Sequence, residues 1–275
     1  DGHVSIEVSP YLAHDTEGTI AAAARLWKKL SRPNIMIKIP ATPEGLPAIE
    51  RSLAEGINVN LTLIFSRACY RDVAQAYIRA VESRVTKGLD VTSLASVASF
   101  FVSRVDAIHE KAFDERAAKN EVDAQKKDIF LGKIGIANSK LAYEAFEELF
   151  SGNQWKTLAQ KGARVQRPLW ASTGTKNPKF SPTLYVEELA GKHTVNTMPP
   201  QTLQALLKGA PISPRLHEGL GEAKALIQMI EGDLKLPFEA LLSELQVAGV
   251  KLFSDAYKEL LASIAKKQQT LVASV

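Results

Sequence analysis

The chemistry this sequence offers first is a lysine set among isoleucines. Lys38 stands in the run Ile35-Met36-Ile37-Lys38-Ile39-Pro40. At a strand's period of two, Ile35, Ile37 and Ile39 share one face, while Met36 and Lys38 share the other. Three β-branched residues on one face mark a strand packed on an apolar layer. A lysine mid-strand cannot snorkel to water as it would at a surface. Apolar burial disfavours an ammonium, so a lowered pKa and a supply of neutral amine are expected. A positioned neutral amine is the nucleophile of Schiff-base chemistry. Taken alone, the same strand also fits a lysine paired with a carboxylate.

The polar residues that could act with Lys38 share its parity. Ser5, Glu7 and Ser9 alternate with Val4, Ile6 and Val8; Asn58, Asn60 and Thr62 alternate with Val59, Leu61 and Leu63; Ser99 lies in a further strand over 96–102. Strands of a doubly wound open sheet are apolar on both faces. One apolar and one polar face fits a (β/α)8 barrel, whose inward residues near the C-terminal strand ends build the site.

The elements that must position these residues alternate in kind. Helices are expected over 16–30, 42–54 (stopped by Gly56), 66–84, 136–150 and 155–161, and a partly exposed helical segment over 114–128. Further strands are expected over 166–172 and 194–198. From about residue 200 the chain reads as helical, ending in an amphipathic helix over 250–265. Repeated strand–helix alternation indicates parallel βαβ units. The expected fold is α/β, of the TIM (β/α)8 type, with six strand–helix units visible and additional C-terminal helices. Residues 1–275 are read as one domain.

Composition narrows the partners. The 275 residues carry 34 Lys and Arg against 30 Asp and Glu, a net charge of +4. The charges are mixed along helices, as solvated faces are, so no nucleic-acid partner is expected. No apolar run reaches the length of a membrane span, and no signal-peptide pattern is present. One cysteine, Cys69, excludes an internal disulfide and fits a reducing compartment. The five histidines lack metal-ligand spacing, and no metal is expected.

Six motifs in order, VSIEVSP (4–10), MIKIPAT (36–42), GINVNLTLIFS (56–66), SFFVSR (99–104), RPLWASTGTKNP (167–178) and TVNTMP (194–199), resemble those of the transaldolases. The resemblance is to the longer type found in cyanobacteria, actinobacteria and plastids, and covers nearly the whole chain. It implies class I aldol chemistry without cofactor, on small-molecule sugar phosphates of the pentose phosphate pathway. Lys38 would form the Schiff base, with Glu7 and Thr62 handling the water used in proton transfer. Asn60 and Ser99 would hold the dihydroxyacetone hydroxyls. Phe101 matches the phenylalanine of transaldolases, where fructose-6-phosphate aldolases tend to carry a hydroxyl. Arg104 matches a phosphate-binding arginine; its parity is opposite to that of Ser99, so the chain must turn after Val102. Ser172 and Lys176, in a small-residue turn, would also serve a phosphate; shorter transaldolases have an arginine soon after that serine.

In that family the lysine stands on the fourth barrel strand, but here on the second. The resemblance therefore implies an N-terminally incomplete barrel, short of about 60 residues in two strand–helix units. With them go a first-strand aspartate for acid–base work and a second-strand asparagine. Two sheet edges would be left unpaired, and turnover is expected to be poor. The alternatives are a Schiff-base aldolase resembling fructose-6-phosphate aldolase and a non-enzymatic remnant. The cytoplasm is the expected location.

Overall fold

A computed structural model describes residues 2–272. Strand β1 (Val4–Glu7) leads into helix α1 (Thr16–Leu30), β2 (Ile35–Pro40) into α2 (Gly45–Ala54), and β3 (Val59–Ile64) into α3 (Arg67–Thr86). Strand β4 (Ser96–Phe101) is followed by α4 (Ser103–Ala117), the short α5 (Lys127–Phe130), α6 (Ile134–Ser151) and α7 (Asn153–Ala159). Then come β5 (Arg167–Ala171), α8 (Leu184–Glu188), β6 (Val195–Asn196), α9 (Pro200–Leu207), α10 (Leu220–Gly232) and α11 (Phe238–Val272). All five strand pairings are parallel and in chain order. The sheet is a curled half-barrel, and among the described residues β1 and β6 are its edges.

Local signals account for most boundaries. The Asp15 carboxylate accepts from the Gly18 N–H at the start of α1, and the Ser66 hydroxyl accepts from the Cys69 N–H at the start of α3. Gly56 ends α2 at a φ of 89°, in the left-handed region.

The two faces of the sheet separate as the alternation predicts. Ile37, Ile39, Val59, Leu61, Ala98, Phe100 and Trp170 lie in one apolar layer with residues of the flanking helices α2 and α3. Met36, Val97, Phe101, Leu169 and Ala171 join a second layer with α4, α10 and α11 on the inner side. Burial of such side chains contributes about 1.5–3 kcal/mol each.

Three elements differ from expectation. Helix α4 begins at Ser103, directly after β4, and ends at Ala117, where a helical segment over 114–128 was expected. The expected strand over 194–198 pairs only at Val195 and Asn196. The expected terminal helix over 250–265 is the middle of one helix starting at Phe238.

Candidate active site

Register brings the polar residues of the inner face into one row. Glu7 is the partner of Lys38 across β1 and β2, and Lys38 is the partner of Asn60 across β2 and β3. The Lys38 Nζ lies 2.7 Å from Glu7 Oε1, with side chains 22% and 37% exposed. The apolar setting expected from the lysine strand alone is thus interrupted by a carboxylate within proton-transfer distance.

The row continues through hydrogen bonds. Ser99 Oγ donates to Asn60 Oδ1 at 2.7 Å, and Asn60 Nδ2 donates to Ser5 Oγ at 2.9 Å. Asn60 and Ser99 are buried, so these bonds fix the amide's orientation. Thr62, two residues on, is also buried, yet its hydroxyl has no partner among the described residues. An orphaned buried hydroxyl is destabilising unless a water or ligand satisfies it. It lines a small cleft together with Glu7, Lys38, Pro40, Leu63 and Phe253.

The backbone at Leu63 explains how this cleft is shaped. Pairing of β3 with β4 shifts between Leu61 and Ile64, and Leu63 has a φ of 60°, unusual for a branched side chain. The bulge turns Leu63 toward the inner layer beside Thr62. Helix α11 supports it: Gln246 Nε2 donates to the Leu63 carbonyl at 3.1 Å and to the Ala41 carbonyl at 2.9 Å. Gly249 packs closely there: a Cβ would sit 2.8 Å from Leu63 Cδ2 and would displace the leucine side chain.

Arg104 occupies the first turn of α4. The chain does turn after Val102, as the parity of Arg104 requires, and the guanidinium carbon lies 5.1 Å from the Phe101 ring centroid. Phe101 in turn packs on Phe65 at 5.0 Å. Burial lowers the Arg104 pKa, and the side chain has no acidic partner among the described residues. A half-buried guanidinium without a carboxylate is suited to an anionic ligand. Its turn is held by Asp106, which accepts from the Gly135 N–H (3.0 Å) and the Tyr185 hydroxyl (2.8 Å). A side chain at Gly135 would meet the Val102 carbonyl at 2.6 Å.

Ser172 is held beside this turn. Its hydroxyl lies 2.9 Å from that of Ser103, and its carbonyl accepts from the Ser103 N–H at 3.1 Å. Lys176 is exposed farther along the same turn, bonded to none of the other site residues. The structure therefore brings together Glu7, Lys38, Asn60, Thr62 and Ser99, places Phe101, Arg104 and Ser172 at the ends of β4 and β5, and gives Lys176 an exposed position in the turn after Ser172.

The sequence model of the family described as Transaldolase/Fructose-6-phosphate aldolase matches residues 1–264. The chain belongs to this family. It is 43% identical over 275 residues to Transaldolase 2 of Nostoc sp., covering 98% of this chain and 72% of that protein. It is 46% identical over 269 residues to the transaldolase of Saccharopolyspora erythraea, covering 97% and 71%. Transaldolase 1 of Streptomyces avermitilis is 47% identical over 266 residues, covering 96% and 68%. Membership agrees with the half-barrel of parallel strands and with a lysine on its inner face. No helix among the described residues is long and apolar enough to cross a membrane.

The sequence pointed to Ser5 as inward-facing but not to its bond with Asn60, and it gave no sign of Gln246 or Phe253. Ser5 has the inward parity, but its bond to Asn60 follows only from register. Gln246 and Phe253 lie far along the chain on an amphipathic helix, and nothing local ties them to Lys38. The Phe253 ring centroid stands 5.6 Å from Lys38 Nζ.

Proposed function

We propose that this chain is a transaldolase that carries a dihydroxyacetone unit on Lys38. The observation that carries the reading is the 2.7 Å pair of Lys38 and Glu7 beside the unpartnered Thr62 hydroxyl. Glu7 accepts a proton from the Lys38 ammonium, and the free amine attacks the ketone of a ketose phosphate. Loss of water gives an iminium, which draws electrons from the bond between the carbon next to it and the hydroxyl-bearing carbon beyond. That bond breaks as the hydroxyl gives up its proton to water and becomes the aldehyde, an aldose phosphate leaves, and an enamine remains on Lys38. The enamine carbon then adds to the aldehyde of a second aldose phosphate, and water releases the new ketose. With sedoheptulose 7-phosphate as donor and glyceraldehyde 3-phosphate as acceptor, the products are erythrose 4-phosphate and fructose 6-phosphate.

The other residues take roles that their surroundings support. Thr62, lacking a protein partner, holds the water that exchanges protons with Glu7 around the Schiff base. Asn60 and Ser99, fixed by their mutual hydrogen bond, orient the hydroxyls of the bound fragment. Arg104 binds the substrate phosphate with Ser172, and the exposed Lys176 adds attraction at the rim. Phe101 is an apolar wall between Phe65 and Arg104, with no hydroxyl to activate water, which favours transfer over release. The reaction belongs in the cytoplasm, a compartment consistent with the single unpaired Cys69.

Product analysis tests this reading. Sedoheptulose 7-phosphate is supplied with and without glyceraldehyde 3-phosphate. Turnover that depends on the acceptor is expected. Catalytic release of free dihydroxyacetone without acceptor would make the chain an aldolase instead.

A further inference from the structure

One face of α11 crosses the sector of the sheet that holds Lys38. Gln246, Val250, Phe253 and Tyr257 recur at spacings of three and four, which places them along one side of a helix. Gln246 anchors that side to the carbonyls at the ends of β2 and β3. At the other end the Tyr257 ring meets Tyr11, in the turn after β1, edge to face at 5.7 Å. Phe253 lies between these anchors, its ring 5.6 Å from Lys38 Nζ in the wall of the same cleft.

We propose that Phe253 is a positioning residue that sets the lifetime of the imine on Lys38 and so the partition between transfer and release. This rests on the Schiff-base reading above. When Lys38 condenses with a ketone, the nitrogen keeps a positive charge as the iminium. A ring face within about 6 Å attracts such a cation, most strongly where water is excluded. The ring also covers one side of the cleft at Lys38 and narrows the approach of bulk water to the C=N bond. Release of the fragment requires that attack: the enamine first takes a proton on carbon to become the iminium, water adds to the iminium carbon, the carbinolamine loses its proton, and the C–N bond breaks to free dihydroxyacetone and the lysine amine. A ring held by two anchors slows this step while leaving the opposite side of the fragment to the acceptor aldehyde.

The test uses labelled dihydroxyacetone as probe on the full chain, which forms the imine without any carbon–carbon cleavage. Free label is removed by rapid desalting, and borohydride added at intervals reports the imine remaining on Lys38. Phe253→Leu keeps an apolar side chain but removes the ring; Phe253→Tyr keeps the ring. Imine hydrolysis is expected to be roughly 5- to 30-fold faster in Phe253→Leu, the range a desolvated cation–ring contact implies, and within about twofold of the parent in Phe253→Tyr. Equal hydrolysis rates in the parent and Phe253→Leu would overturn the proposal and leave the Schiff-base reading intact. A Tyr variant as fast as the Leu variant would likewise overturn it. Failure of the unsubstituted chain to form any Lys38 adduct would overturn both.

Discussion

Lys38 and Glu7 face each other across two adjacent parallel strands at the same register position, with their charged ends 2.7 Å apart. A nucleophilic amine must lose a proton before it attacks, and the nearest acceptor is this carboxylate. Glu7→Gln keeps the size and removes the acceptor. A fall in kcat of about 10²- to 10⁴-fold is expected, measured by coupled assay of erythrose 4-phosphate. Borohydride trapping should still succeed at raised pH, because bulk hydroxide replaces the missing base.

Thr62 gives a prediction in which activity and stability separate. Its buried hydroxyl has no partner among the described residues, so Thr62→Val removes an unsatisfied polar group and fills the same space. Stability to urea should be unchanged or higher by about 1 kcal/mol, while kcat falls at least 10²-fold through loss of the held water. A variant both less stable and fully active would contradict the role assigned to the hydroxyl.

Much of this arrangement was legible in the sequence, because alternation fixes which residues share a face. Glu7, Lys38, Asn60, Thr62 and Ser99 are separated by up to 92 positions, yet their common parity places all of them inside. The helix and strand order followed from caps and periodicity, as at Ser66 and Gly56. What stayed hidden depends on contacts between distant segments. The bulge that turns Leu63 inward is held from α11 by Gln246, and no residue near Leu63 announces a positive φ. The start of helix α4 carries no local signal, because it begins at Ser103 without a side-chain cap, directly after β4. Its first turn is fixed instead by Asp106 and the close approach of Gly135.

Arg104 separates phosphate binding from chemistry. Arg104→Leu keeps an apolar contact with Phe101 and removes the cation. KM for sugar phosphates should rise by about 10- to 100-fold, as loss of a charge-assisted bond implies, with kcat changed far less. Imine formation with unphosphorylated dihydroxyacetone should be unaffected, a comparison that general loss of folding would not satisfy.

Asp106 and His109 give the pH dependence of stability opposite signs. Burial pushes the Asp106 carboxyl up to about 6 against its hydrogen bonds. A folded value above the ordinary 3.8 means that its stabilising contribution is complete below about pH 4 and lost as pH rises through about 6. Burial pushes His109 down to about 4, so its contribution is present above about 6.5 and lost as pH falls through about 4. In Asp106→Asn the carboxyl's contribution is gone and no longer offsets the histidine slope. Urea midpoints measured from pH 7 to pH 4 should therefore fall more steeply in the variant, by a differential of about 2–3 kcal/mol.

The most direct measurement is borohydride trapping with fructose 6-phosphate, followed by peptide mass mapping. A three-carbon increment on the peptide containing Lys38, absent in Lys38→Ala, is the expected result. A folded chain that carries no adduct, or one that carries it on another lysine, would contradict the assignment of Lys38 as the nucleophile.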